Sequence, residues 1–243
     1  MKKIIALILS ITIIIGVMPI VSAQNAASGD NAQTTTDTAP TNEAPDPYIV
    51  SELTEKRTEN TKHFLMSDGS IEAAVYDTAV HYCNNGSWED IDNSLSEKTD
   101  TEIQEKVIEN SKNSLKVKFA KKSNKNKLIS VKNGDCKIKW SLENANKVNA
   151  KIITTDSGKK AEKLSELKNN SGIVEYNNII SNVDLRYTVN GSELKEDIIL
   201  KNKNAQQSFT FVYESKGLAA RINDDGQIEI YMIQKTTIKL FSF

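Results

Sequence analysis

His63, His81, Cys83 and Cys136 are all the imidazole and thiol groups that this 243-residue sequence offers to nucleophilic or transition-metal chemistry. A Cys–His dyad needs the imidazole within hydrogen-bond reach of the thiol, so that it can take the thiol proton. His81-x-Cys83 puts both side chains on one face of a strand, because strand side chains alternate. A half-buried histidine beside a core cysteine satisfies the same spacing, and no orienting group is marked nearby. Structural zinc sites use closely spaced Cys and His pairs, and neither C-x-x-C nor H-x-x-x-H occurs. Asp90-x-Asp92-Asn93 begins like a calcium loop, but Leu95 stands where the loop needs glycine and Thr101 where it needs glutamate. Glu196 and Asp197 are adjacent, so on a strand they point to opposite faces and cannot flank one glycosidic bond. Ser157-x-x-Lys160 and Ser165-x-x-Lys168 match a fragment of the β-lactamase pattern without its companion motifs. The residues therefore give no catalytic group, no cofactor site and no metal site, and the expectation is that the chain is not an enzyme.

Aromatic groups are the remaining candidates. Trp88 and Trp140, with His81 and Tyr82, are the expected ligand-binding residues, since rings exposed on a sheet form platforms for sugars or partner proteins. The competing reading packs both indoles into a core, and Tyr76, Tyr187 and Tyr213 invite the same comparison. In an exported chain Cys83 and Cys136 allow one disulfide closing a long loop, and equally allow two buried thiols.

The elements that must position these groups are announced by composition. Met1-Lys2-Lys3, an apolar run from Ile4 to Val17 and the small residues of Val21-Ser22-Ala23 form the three parts of a secretory signal peptide, residues 1–23. Residues 24–47 read as a disordered linker, rich in Asn, Ala, Thr and Pro, and no proline follows Pro47. Residues 48–243 read as one β-rich extracellular module. Beyond the leader every acidic group remains while Lys2 and Lys3 are lost, so the exported chain is net acidic. With 28 Lys against only Arg57, Arg186 and Arg221, the charge pattern argues against nucleic acid, where Arg is favoured for bidentate phosphate and base contacts.

Within the module short β-rich runs alternate with turn dipeptides, Asp68-Gly69, Asn85-Gly86, Asn133-Gly134, Asn190-Gly191 and Asp225-Gly226. The runs predict strands near 62–67, 71–77, 79–84, 88–93, 114–120, 127–132, 136–142, 147–155, 172–180, 183–189, 193–201, 207–214, 218–223 and 227–232. Residues 51–60, with Glu52 four before Lys56, and 159–168 predict short helices. The fold class expected is all-β, an antiparallel β-sandwich-like module with at most one or two short helices.

Two blocks carry a resemblance. The first runs from Glu55-x-Arg57 and Lys62-x-Phe64 through Ser67-Asp68-Gly69, Val80-His81-Tyr82 and Gly86-x-Trp88 to Ile91-Asp92-Asn93-x-Leu95. The second comprises Asn182-Val183-Asp184-Leu185, Tyr187 and Lys195-Glu196-Asp197-Ile198-Ile199-Leu200. Together they resemble the N-terminal region of large secreted Gram-positive DNRLRE-domain and RHS-repeat (wall-associated-protein-like) polypeptides. The resemblance implies a non-catalytic structural or interaction module of a secreted or cell-wall-associated protein, with other domains of a longer polypeptide or cell-wall glycans as partners. A carbohydrate-binding β-sandwich is the alternative. The motifs offer no cofactor site, the charge pattern no nucleic-acid partner, and no second long apolar run follows the leader, so no membrane contact is expected after its cleavage. The apolar ending Ile238-Lys239-Leu240-Phe241-Ser242-Phe243 departs from those relatives and reads as a truncation.

Overall fold

Hairpins dominate because the turn dipeptides adopt the backbone conformations that tight reversals require. In Asn85-Gly86 both residues have positive φ, 50° and 87°, the geometry of a two-residue hairpin loop. The computed structural model describes residues 11–15, 46–124, 127–153 and 171–232. The expected linker, apart from its last residues, the expected second helix at 159–168 and the chain end after 232 lie outside the described residues. So does the expected signal peptide, except for the backbone of one short strand.

The strands, in chain order, are β1 (Ile11–Ile15), β2 (Ile49–Glu52), β3 (Thr61–Met66), β4 (Ile71–Val75), β5 (His81–Asn84) and β6 (Ser87–Asp90). There follow β7 (Asp92–Asp100), β8 (Glu105–Lys112), β9 (Leu115–Asn124), β10 (Lys127–Asn133), β11 (Cys136–Leu142) and β12 (Lys151–Ile153). The last are β13 (Gly172–Ile180), β14 (Val183–Asn190), β15 (Glu193–Leu200), β16 (Phe211–Ser215), β17 (Leu218–Ile222) and β18 (Ile228–Met232). The fold is all-β, and among the described residues every strand pairing is antiparallel except that of β1 with β15.

A six-stranded sheet in the order β16-β11-β10-β9-β8-β7 faces a five-stranded sheet in the order β1-β15-β14-β13-β12. Alternation explains why they face one another. On β9, Leu115, Val117 and Phe119 are buried, and on β14, Val183, Leu185, Tyr187 and Val189 are buried, so each sheet has one apolar face to cover. One core cluster draws on both sheets. The rings of Phe119 and Tyr187 meet between them at 5.5 Å, and Tyr176 meets Tyr187 edge-on at 6.4 Å. Each such ring, fully buried, contributes on the order of 1.5–3 kcal/mol.

The N-terminal elements form a separate layer, a three-stranded sheet β2-β3-β4 and the hairpin β5-β6. The two sandwich sheets are tied together by a buried amide network between Asn93 on β7, Asn113 in the β8–β9 turn and Gly191 in the β14–β15 turn. Asn93 Nδ2 donates to the Gly191 carbonyl at 2.9 Å, and Asn113 Nδ2 donates to the same carbonyl at 2.7 Å. Asn93 Oδ1 accepts from Asn113 and from Asn110. Gly191 has φ +53°, and a Cβ there would lie 2.6 Å from the Ala79 carbonyl oxygen. Only glycine lets this turn approach so closely.

Two expectations are corrected, and one hairpin was not expected. Residues 51–60 are the end of β2 and a single 3₁₀ turn, Thr54–Lys56, in place of a helix. Glu52 is engaged by Arg57 rather than by Lys56, so the i,i+4 pair that favoured a helix does not form. The hairpin β7–β8 was not expected, because its Lys-rich and Glu-rich outer face hides the sparse buried positions Val107 and Ile108. The strand expected over 147–155 begins later, its described part being Lys151–Ile153.

Candidate functional site

The two-residue loop at Asn85-Gly86 fixes the register of β5 on β6, pairing Cys83 with Trp88 and His81 with Asp90. The strand is pinned at its start, since the amides of Val80 and His81 both donate to the Glu59 carbonyl, at 2.9 and 3.0 Å. On the neighbouring sheet Glu52 closes β2 and Lys62 lies on β3. The 3₁₀ turn then brings the chain back, with Arg57 in an extended conformation. Five side chains separated in sequence thereby converge.

Arg57 grips the Glu52 carboxylate with both prongs, Nε to Oε1 at 2.7 Å and Nη2 to Oε2 at 3.0 Å, and reaches Asp90 Oδ2 with Nη2 at 2.8 Å. Its Nη1 donates to the Trp88 carbonyl at 3.3 Å. The Lys62 ammonium hydrogen-bonds Asp90 Oδ1 and stands 3.9 Å from Glu52 Oε2. His81, whose side chain is 0% exposed, lies behind them. Its Nδ1 is 2.6 Å from the Thr58 carbonyl oxygen, so Nδ1 carries the proton and Nε2 is a bare lone pair. Nε2 lies 3.7 Å from Glu52 Oε1 and 3.6 Å from Asp90 Oδ1 and has no hydrogen-bond partner. Asp90, half exposed, is the side open to solvent.

Burial, with the nearby charges of Lys62 and Arg57, pushes the His81 pKa down against the pull of Thr58 and Asp90. Burial also pushes the Asp90 carboxyl up, but the Lys62 hydrogen bond and the charges of Lys62, Arg57 and His81 outweigh it and hold the group below the ordinary aspartate value. The hydrogen bond to Glu52 raises Arg57. Two cations thus balance two carboxylates around a neutral imidazole. Glu52, His81 and Asp90 are also the described residues whose ligand atoms lie close enough to share an ion, all within 4.8 Å of one another.

The expected site residues are dispersed. Of the four ligand-binding candidates, Trp88 is exposed on β6, and Tyr82 is half-buried and donates to Glu89 at 3.0 Å. Trp140 is sealed in the sandwich core, where its Nε1–H donates to Glu196 at 3.1 Å, so it presents no face to a ligand. His81 is buried and turned toward carboxylates. It does not form a dyad with Cys83, which is exposed. Cys83, on β5, and Cys136, on β11, are both free thiols in the structure. The calcium-like run is also dismantled: Asp90 turns to Arg57 and Lys62, Asp92 accepts from the Ser94 amide, and Asn93 is consumed by Gly191. Sequence reasoning missed Glu52, Arg57 and Lys62 as site residues, since no spacing motif joins them to His81.

The chain is similar to three nucleases. Over 181 residues it is 29% identical to the tRNA nuclease WapA of Bacillus subtilis strain 168 and to the tRNA3(Ser)-specific nuclease WapA of Bacillus spizizenii. It is 28% identical over the same length to the tRNA(Glu)-specific nuclease WapA of Bacillus subtilis subsp. natto. Each match covers 73% of this chain and 7% of the relative. No protein-family model matches the chain, and no solved structure does. These findings correct the resemblance to DNRLRE-domain and RHS-repeat polypeptides, since the relatives found are named as tRNA nucleases. They equally overturn the expectations of a non-catalytic or carbohydrate-binding module, of no enzyme and of no nucleic-acid partner. The charge argument failed because the acidic balance of a stretch amounting to 7% of such relatives does not bound what the rest of a polypeptide touches.

Proposed function

We propose that the chain functions as a section of an exported, wall-associated tRNA nuclease of the WapA kind. The similarity over 181 residues to relatives named for tRNA carries this reading. Because the chain spans 7% of their length, cleavage of tRNA is assigned to the whole polypeptide. The leader pattern of residues 1–23 supports action outside the membrane, and among the described residues no helix is long and apolar enough to cross one.

Phosphodiester cleavage needs a proton acceptor, a proton donor and cations facing the phosphate. Arg57 spends its guanidinium on Glu52 and Asp90, Arg186 is paired with Glu175, and Arg221 with Glu229. The three arginines are therefore not poised to clamp a phosphate. The test is to incubate the full-length gene product, collected from the culture wall fraction, with total tRNA and to follow its cleavage on denaturing gels. Discrete tRNA fragments are expected. Intact tRNA with the full-length product at high concentration would overturn the reading, and fragments from residues 1–243 alone would move the active site into this chain.

A further inference from the structure

We propose that Glu52, His81 and Asp90 form a binding site for a divalent first-row transition ion of the Zn2+ class, beside which the Lys62 ammonium, bonded to Asp90, stands as a competing cation.

The buried imidazole carries the argument. His81 Nε2 is sealed from water and without a hydrogen-bond partner, and it faces two carboxylate oxygens. A bare lone pair aimed at two anions is repulsive unless positive charge lies among them, and a buried polar atom left unpaired is costly. The separations of 3.6 and 3.7 Å are too long for hydrogen bonds. They suit ligands sharing an ion: two atoms each about 2.1 Å from a tetrahedral Zn2+ stand roughly 3.4 Å apart. Shifts of a few tenths of an ångström would complete the coordination.

The surroundings have the character of a support shell. Ligating histidines use their other ring nitrogen to hold a carbonyl or carboxylate, and His81 Nδ1 does so with the Thr58 carbonyl. Ligating carboxylates are themselves hydrogen-bonded, and Arg57 fixes both Glu52 and Asp90. The three groups come from β2, β5 and β6, so the site is held by sheet and hairpin register. The half-exposed Asp90 leaves an entry path from solvent. One nitrogen with two carboxylates favours Zn2+, Co2+ or Mn2+ over Ca2+ and Mg2+, which prefer all-oxygen shells. Lys62, bonded to Asp90 Oδ1, must swing away when the ion enters, so it competes with the metal.

The full chain, stripped with chelator, would be titrated with Co2+ and followed by visible ligand-field absorption, with Zn2+ and Ca2+ added as competitors. One equivalent of Co2+, displaced by Zn2+ and not by Ca2+, is expected. His81→Asn can keep a donor toward Thr58 while removing the Nε2 ligand, and should weaken binding at least tenfold without changing the circular-dichroism spectrum. Lys62→Met should tighten binding at least tenfold, and Cys83→Ser should leave it unchanged. Failure of Co2+ to bind the folded chain, equal affinity in a folded His81→Asn variant, displacement by Ca2+, or loss in Cys83→Ser would each overturn the assignment. None of these readouts depends on nuclease activity.

Discussion

The Nδ1 of His81 and the carbonyl oxygen of Thr58 are 2.6 Å apart, and this bond across the end of β5 fixes which ring nitrogen faces the carboxylates. His81→Ala would open a cavity and strand the Thr58 carbonyl, costing about 2 kcal/mol. His81→Asn should cost less, since it can keep that bond. Urea unfolding of the two variants side by side checks the order, and equal losses would refute the bond's role.

Asn113 satisfies the Gly191 carbonyl, the Asn93 side-chain oxygen and the Leu115 amide at once. Asn113→Ala should cost roughly 2–3 kcal/mol, because several buried groups lose a partner together. The Asn93→Ala, Asn113→Ala double variant should lose less than the sum of the singles, as measured by a double-mutant cycle in urea.

At Gly191 both φ and space forbid a side chain, whereas Gly69, at φ +85°, has nothing within 4 Å of a Cβ. Gly69→Ala should cost about 1 kcal/mol for conformation alone, and Gly191→Ala clearly more. Thermal melts of both variants test the difference.

Two carboxyls should make opposite contributions to the pH dependence of stability. The Lys118 hydrogen bond, with the Glu102 amide, holds Asp100 below its ordinary value. The unfolded chain therefore binds this proton more readily, and the stabilisation is present above roughly pH 4 and lost as pH falls through the folded pKa. Burial raises Glu196 despite the hydrogen bond from Trp140. Its favourable contribution is complete below roughly pH 4 and fades as pH rises through the folded value. Glu196→Gln, which keeps an acceptor for Trp140, should therefore stabilise the fold at pH 7. Asp100→Asn should flatten the acid limb of the stability curve. Denaturant midpoints measured from pH 3 to pH 8 report both.

Trp88 is 39% exposed and Trp140 1%. Acrylamide should quench one indole strongly in the native protein, and Trp88→Phe should abolish most of that quenching. Strong quenching remaining in Trp88→Phe would mean that Trp140 is not enclosed.

Much of this architecture was legible in the chain. Asn-Gly and Asp-Gly pairs marked hairpin reversals, and the alternation at Leu115, Val117 and Phe119 gave β9 its inner face. The hairpin β7–β8 escaped because half of each strand faces solvent with charged residues, and Asn93 and Asn110 are buried by amide pairing rather than by apolarity. The site was half legible. A two-residue loop at Asn85-Gly86 already implies that His81 pairs with Asp90, yet His81 was matched with Cys83 and Asp90 with Asp92. Glu52, Arg57 and Lys62 carry no such signal, since their meeting depends on how the β2-β3-β4 sheet lies against the hairpin.

The bond from Asn93 to Gly191 spans 98 residues, which has a kinetic corollary. Loop closure over such a distance comes late, because the entropy of the intervening chain must be spent before the contact rewards it. A chain synthesised from its N-terminus would form the β5–β6 hairpin early by local contacts. It would hold the Asn93 and Asn113 amides open until the β14–β15 turn arrives to receive them, so the second half of the sequence acts as the latch that completes the first.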